Sequence, residues 1–409
     1  MQTNPCLMET GATRNYLGFE EQELQELGGL LTAKEITQQP LLWKATFEQI
    51  QQSKDSLQKF LDPIFLLEDL TVILTGAGSS AYIGSVLQGP FQKYRGKPTL
   101  AIATTDLISH PAHYFRSAST LLISFARSGE SPESLAAVNL ANTFCSKVFH
   151  LIITCNPQGK LAKDQQIQPG YVFILPPGSD DQGLAMTGSF TAMLLAGLLI
   201  CRLPGLNLLY PELERLCDYG CSIIRLYGER LRKLAQLPFE RVIFLGSGPL
   251  QAIANESALK VQELTDGKII CKHESFLGFR HGPKAIINNK TLLIYLLSNN
   301  EYVLNYETDL IIAINSGQRG ILNIGVMEHN HPELNLDLNI IFQDGTGKID
   351  EDLLAVCSVL PAQLLGFYAS IAHGLSPDTP SKSETITRIV RGVNIYPIHS
   401  EEATTGTKN

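Results

Sequence analysis

The sequence predicts an α/β protein made of two tandem units, each a doubly wound parallel sheet flanked by helices. Three observations carry this reading. Short apolar runs alternate with segments of helical length, as parallel strands alternate with their crossover helices. Thr71-Val-Ile-Leu-Thr-Gly76-Ala-Gly78-Ser-Ser80 and Arg241-Val-Ile-Phe-Leu-Gly246-Ser-Gly248-Pro249 both read as a buried strand entering a Gly-rich turn and a helix, 170 residues apart. A second strand pair, Thr120-Leu-Leu-Ile and Thr291-Leu-Leu-Ile, recurs at 171 residues. Two landmarks at nearly one spacing mark a duplication.

In chain order, residues 1–19 are polar and Gly-containing and read as a loose arm. Thr32-Ala-Lys-Glu35-Ile-Thr-Gln-Gln39-Pro40 follows, then a helical pattern over 41–60. Strands are expected at 70–74, 99–104, 121–125, 149–154 and 171–175, with helices at 82–94, 132–144 and 189–203. Pro132 stands in the first turn of its helix, where its missing N–H costs nothing. Residues 206–237 are polar and helically periodic and join the copies. The second unit continues with strands at 242–245, 268–271, 292–295, 321–326 and 338–341, and helices at 250–264 and 349–372. The last dozen residues read as disordered. The expected domains are an arm and helix at 1–50, one unit at 51–215, a second at 216–375 and a tail at 376–409.

The 409 residues suffice for two sizeable cores, and a net charge of −8 argues against a nucleic-acid partner, which needs a basic face. The start of the chain lacks the charged and apolar runs of a signal peptide, and the apolar run near Phe190 is too short to span a bilayer. A cytoplasmic protein without membrane partners is expected. There are eight cysteines and no C-x-x-C pair. Those at 145, 155, 201, 217 and 357 lie in apolar segments and read as buried reduced thiols. Cys217 and Cys221 are one helical turn apart, but no histidine follows at ligand spacing, so no metal is expected.

Three constellations carry chemistry. Gly78-Ser79-Ser80 and Ser128-Gly129-Glu130-Ser131 both follow core strands and precede helices, so both fall at the carboxyl edge of one sheet, where ligands bind. Backbone N–H groups and clustered hydroxyls there suit a phosphate; simple capping and turn roles are the alternative. The second copy has Leu297-Ser-Asn-Asn300 in place of the second loop, which implies one anion site per pair of copies. Glu256, Lys260 and Glu263 fall on one helix face, either as a reactive set or as an exposed ion pair. Finally, His273-Glu274-Ser-Phe-Leu-Gly278-Phe-Arg280-His281-Gly282-Pro283-Lys284 crowds basic and aromatic residues into a turn-rich loop. His281 there is a proton carrier or surface decoration.

Taken together, Gly-Ser-Ser, Ser-Gly-Glu-Ser, Ala-Leu-Lys-x-x-Glu and Phe-Arg-His-Gly-Pro resemble the sugar isomerase (SIS) domain family, in its double-domain branch. That branch includes the isomerase half of glucosamine-6-phosphate synthase. The resemblance covers about residues 60–375. The Thr32–Pro40 arm, Asp181-Gln-Gly-Leu-Ala-Met-Thr187-Gly-Ser-Phe-Thr191 and Arg388-Ile-Val-Arg391-Gly-Val narrow it. They resemble the bacterial galactosamine-6-phosphate deaminases, long described as tagatose-6-phosphate ketose/aldose isomerases.

The resemblance implies the following. Ser79, Ser80, Ser128, Ser131, Thr187 and Lys382 bind substrate. Glu263 moves the C2 proton with Lys260 beside it, and His281 opens the sugar ring, reaching in from a partner subunit. The substrate is an amino-sugar 6-phosphate, converted to a ketose 6-phosphate and ammonia in a homo-oligomer without cofactor or metal. A non-deaminating aldose–ketose isomerase and a non-catalytic sugar-phosphate sensor are the competing expectations. Two departures stand out: Ala126 replaces a hydroxyl residue of the synthase, and the synthase's tail lysine has no clean match, with Lys382 near it and Thr385 at the nearest aligned position. Cys6 lacks the terminal position of a glutaminase nucleophile, so ammonia from glutamine is not expected.

Overall fold

The computed structural model describes residues 8–10, 13–164, 167–343, 345, 347–388, 390 and 392–398. Cys6, Arg391, His399 and most of the segment expected to be disordered lie outside the described residues. The chain divides into two compact bodies. One comprises Ala45–Asp180, Ala192–Leu208 and Thr387–Asn409; the other comprises Met1–Lys44, Asp181–Thr191 and Leu209–Ile386.

The first body holds a five-stranded sheet in the order Thr99–Ala101, Thr71–Thr75, Ser119–Ala126, Lys147–Thr154, Gly170–Ile174, and every pair is parallel. The second holds Ile270–Ser275, Arg241–Gly246, Thr291–Leu296, Leu322–Met327, Leu338–Ile341, again all parallel. By order of appearance, both sheets read 2-1-3-4-5. The duplication is therefore topological as well as sequential. Each sheet has its switch point between its first and third strands, where chain connections leave in opposite directions and a crevice opens. In both sheets the third strand, Ser119–Ala126 or Thr291–Leu296, is buried at every residue, which is why its sequence is apolar without alternation.

The two Gly-rich turns are built alike. Gly78 (φ 57°, ψ −130°) and Gly248 (φ 54°, ψ −124°) share a conformation that residues with a Cβ avoid. A Cβ on Gly76 would lie 2.6 Å from the Ser80 carbonyl carbon, and one on Gly246 would lie 2.2 Å from the Leu250 oxygen. Glycine lets each helix start directly against the end of its strand.

Several elements differ from expectation. The described part of the supposed loose arm is an antiparallel ribbon, Met8–Thr10, Thr13–Tyr16 and Phe19–Glu20. Its anchor is apolar: Phe19 packs edge-on against Phe367 with centroids 6.3 Å apart, and the Leu17 carbonyl accepts from the Tyr368 hydroxyl at 3.0 Å. The 41–60 helix is two helices, Gln39–Gln52 and Lys54–Phe65, and the 349–372 helix is Glu351–Ser358 and Leu360–Ala372, the latter restarted by Pro361. The helix Glu301–Asn315 was not expected. His273 and Glu274 belong to the edge strand Ile270–Ser275 rather than to a loop. Helix Gly188–Cys201 is fully enclosed, as its uniformly apolar sequence requires. Cysteines 145, 155, 201, 217, 271 and 357 are free. Cys221 is disulfide-bonded.

Candidate active site

In the first body, both predicted anion loops stand at the switch point. The paired register Leu74↔Ile123 and Thr75↔Ser124 brings the strand ends side by side. From them start helix Ser79–Arg95 and helix Pro132–Phe144. Ser79 and Ser80 occupy the first turn of one helix and are buried; Ser131 precedes the first turn of the other. Gly129 takes φ 65°, and its carbonyl accepts from Leu161 N–H at 3.0 Å, so the loop is pinned from behind. Ser128 Oγ accepts from Glu130 N–H at 3.3 Å, and the Ser131 hydroxyl donates to the Glu133 carboxylate. Each helix start presents a positive dipole end and its first N–H groups at the carboxyl edge of the sheet.

A charged residue passed over in the sequence sits in the same loop. Arg127 is buried, at 8% exposure, and donates to the Arg388 carbonyl at 2.5 Å; Arg388 in turn pairs with Asp180 at 2.7 Å. The tail is thus tied to the anion loop at Arg388. The sequence signal was an arginine immediately before the Ser-Gly-Glu-Ser run.

In the second body, helix Pro249–Leu264 carries Glu256, Lys260 and Glu263. The set is not the exposed ion pair that was the alternative. Lys260 and Glu256 are fully buried, and only Glu263 reaches out, with its side chain 24% exposed. Lys260 Nζ lies 2.6 Å from Glu263 Oε2 and 3.3 Å from Glu256 Oε1. Burial pulls the Lys260 ammonium down, but the two carboxylates outweigh it and the net shift is upward. The lysine therefore stays charged in a dry setting. Helix Leu360–Ala372 seals it: a Cβ on Gly366 would meet the Lys260 carbonyl at 3.2 Å, so only glycine lets the helices approach this closely. A carboxylate held beside a buried ammonium, with one edge open, is suited to take and return a proton.

His281 is exposed at the end of the turn Phe276–Phe279, followed by Gly282 at φ 116°. Its neighbours Arg280 and Lys284 line a cavity of about 350 Å³ with Ile287 and Ile314. Lys382 is exposed in the tail. Thr187 is fully buried, with its N–H 2.7 Å and its hydroxyl 3.3 Å from the Asp181 carboxylate. Asp181 also accepts from the N–H groups of Gly188 (3.2 Å) and Ser189 (2.8 Å) and from the Ser189 hydroxyl. It therefore caps helix Gly188–Cys201 and organises the segment that carries Thr187.

Behind that cap lies Glu35, 6% exposed, which accepts from Gln182 N–H at 2.5 Å and Gly183 N–H at 3.1 Å. Burial first, then the Asp181 charge, push its carboxyl up from 4.5 to about 8. A folded-state value above the unfolded one means a stabilising contribution that is full below about pH 4.5 and lost as pH rises through 8. Glu35→Gln, which keeps an acceptor and removes the titration, is expected to stabilise the protein by roughly 1–3 kcal/mol at pH 8 and not at pH 4.5. Urea unfolding at the two pH values checks this; an equal effect at both would refute it.

Residues 66–201 match the SIS domain family model. The D-galactosamine-6-phosphate deaminase AgaS of Shewanella sp. (strain ANA-3) is 39% identical over 405 residues, spanning 97% of this chain and 99% of that protein. The crystal structure of tagatose-6-phosphate ketose/aldose isomerase from Escherichia coli matches with TM-score 0.83 and 34% identity, over 90% of this chain and 96% of that one. A Clostridium novyi structure, provisionally described by the same activity, matches with TM-score 0.92 and 38% identity, over 95% of this chain and all of the other. With its two sheets of one topology and its full-length likeness to these proteins, the chain belongs to the SIS domain family, in the group that contains the D-galactosamine-6-phosphate deaminases.

Proposed function

We propose that this chain converts D-galactosamine 6-phosphate and water to tagatose 6-phosphate and ammonia. The observation that carries the reading is the buried Lys260 ammonium with its two carboxylates, of which only Glu263 is open. The printed names of the relatives supply the substrate class. Ser79, Ser80, Ser128 and Ser131, with the helix starts behind them, hold the 6-phosphate. His281 moves protons between the ring oxygen and O1 and opens the pyranose. The open aldehyde acidifies the C2 proton, which Glu263 removes. The Lys260 ammonium, 2.6 Å from Glu263 Oε2, orients that carboxylate and steadies negative charge developing at O1. Reprotonation at C1 turns the enolamine into an imine at C2. Water adds there, ammonia leaves, and the ketose phosphate remains. We assign Thr187 and Lys382 supporting contacts to substrate, a homo-oligomer to the assembly and the cytoplasm to its location.

A plain aldose–ketose isomerisation is the second reading, favoured by the names of the solved relatives. The assay that separates the two measures initial rates of ammonia release from galactosamine 6-phosphate and from glucosamine 6-phosphate. The proposal expects release, faster from the galacto sugar; no release from either would sink it.

Ser128→Ala and Ser131→Ala test the phosphate grip. Each loses a hydrogen bond to a charged group, worth about 1.5–3 kcal/mol, or roughly ten- to hundred-fold in KM. The loss should appear with galactosamine 6-phosphate and be small with free galactosamine. Equal loss with both sugars would return these serines to a capping role.

A further inference from the structure

The second sheet has a switch point of its own, between Arg241–Gly246 and Thr291–Leu296, with register Phe244↔Ile294 and Leu245↔Tyr295. Its two loops hold Ser247 and Ser298. Between them lies a carboxylate that no step of the chemistry uses. Glu307, on helix Glu301–Asn315, is fully buried. Its Oε2 accepts from Ser298 N–H at 2.9 Å, the Ser247 hydroxyl interacts with the same carboxylate, and Oε1 is buried without a hydrogen-bond partner. Burial raises the acid, the two hydrogen bonds lower it and the Glu351 charge raises it again, with a net value of about 7.

This is not helix capping. Asn300 already caps the helix by accepting from Tyr302 N–H at 3.0 Å, and the Ser298 hydroxyl is taken up by Glu351. Nor is it generic packing, because the corresponding seventh residue of the first body's helix Pro132–Phe144 is Val138, equally buried and apolar. A duplicated strand–loop–helix unit presents loop donors at both switch points. In the first body they face a crevice at the sheet edge; in the second they face an acid from their own helix.

We propose that Glu307 is a built-in ligand: its carboxylate fills, from inside, the anion cradle that duplication created in the second body. The second body then accepts no phosphate, and removal of the side chain leaves a site for a small oxyanion of formate, acetate or phosphate size. This inference stands independently of the substrate assigned above.

The test is chemical rescue in the full chain. Glu307→Ala is expected to melt several degrees below wild type in chloride. Formate or acetate at the same ionic strength should restore part of that loss, and benzoate, too large for the space, should not. Wild type and Glu307→Gln, whose amide still fills the cradle, should melt alike in all five media, including inorganic phosphate. If Glu307→Ala does not fold in chloride, folding on production in formate supports the proposal, and failure in both overturns it. Equal responses of wild type and Glu307→Ala to every anion also overturn it, since the salt would then act on the whole protein.

Discussion

Replacing Glu263 with Gln is expected to lower turnover of galactosamine 6-phosphate at least about 100-fold, the usual scale for a lost general base, with little change in substrate affinity. The prediction rests on exposure. Of the three ionic residues on helix Pro249–Leu264, only Glu263 has an open edge. A Gln oxygen can still accept from the Lys260 ammonium, so the local fold should survive and the loss should sit in kcat. Binding of a sugar-alcohol phosphate, which lacks the carbonyl and cannot react, should be nearly unchanged. Near-normal turnover in the variant would remove Glu263 from the proton transfer.

Lys260→Met should damage stability as well as activity. The change takes away the cation shared by Glu256 and Glu263, 3.3 and 2.6 Å from its Nζ, and leaves the fully buried Glu256 without that charge. Breaking a buried ionic set by removing one member costs about 3–5 kcal/mol, because the remaining charge is stranded in low dielectric. Denaturant unfolding should show that loss. Adding Glu256→Gln to the same chain should recover much of the stability and none of the turnover, since the ammonium that holds Glu263 in place stays absent. A single variant within 1 kcal/mol of wild type, an effect of surface-pair size, would contradict the reading of Lys260 as a buried structural and electrostatic centre.

What the sequence made legible follows from how local each constraint is. The duplication was readable because each copy needs a glycine where its helix abuts its strand, at Gly76 and Gly246, and a positive φ at Gly78 and Gly248. The central strands were readable because burial on both faces demands unbroken apolar runs. The ribbon at Met8–Glu20 was not, because its anchors, Phe367 and Tyr368, lie some 350 residues away and turn a polar-looking segment into packed structure. The edge strand Ile270–Ser275 was expected only at its start; its end at His273–Ser275 was read as a loop because an edge strand is half exposed and tolerates the polar run Lys-His-Glu-Ser. At the site, the spacing of Glu256, Lys260 and Glu263 gave their common face but not the burial of the first two, and the helix that packs closely against theirs at Gly366 comes from far along the chain. The empty place in the second copy's loop was visible; Glu307, which fills it, was an ordinary helix residue until the fold brought it under Ser298.

The most direct measurement of the central claim is the product balance of purified full-length protein with galactosamine 6-phosphate, with ammonia and ketose phosphate quantified in parallel, and with Glu263→Gln beside wild type. The account predicts one ammonia for each tagatose 6-phosphate in wild type, and neither product above background in the variant. Ketose phosphate formed without ammonia, or equal product from the variant, would contradict it.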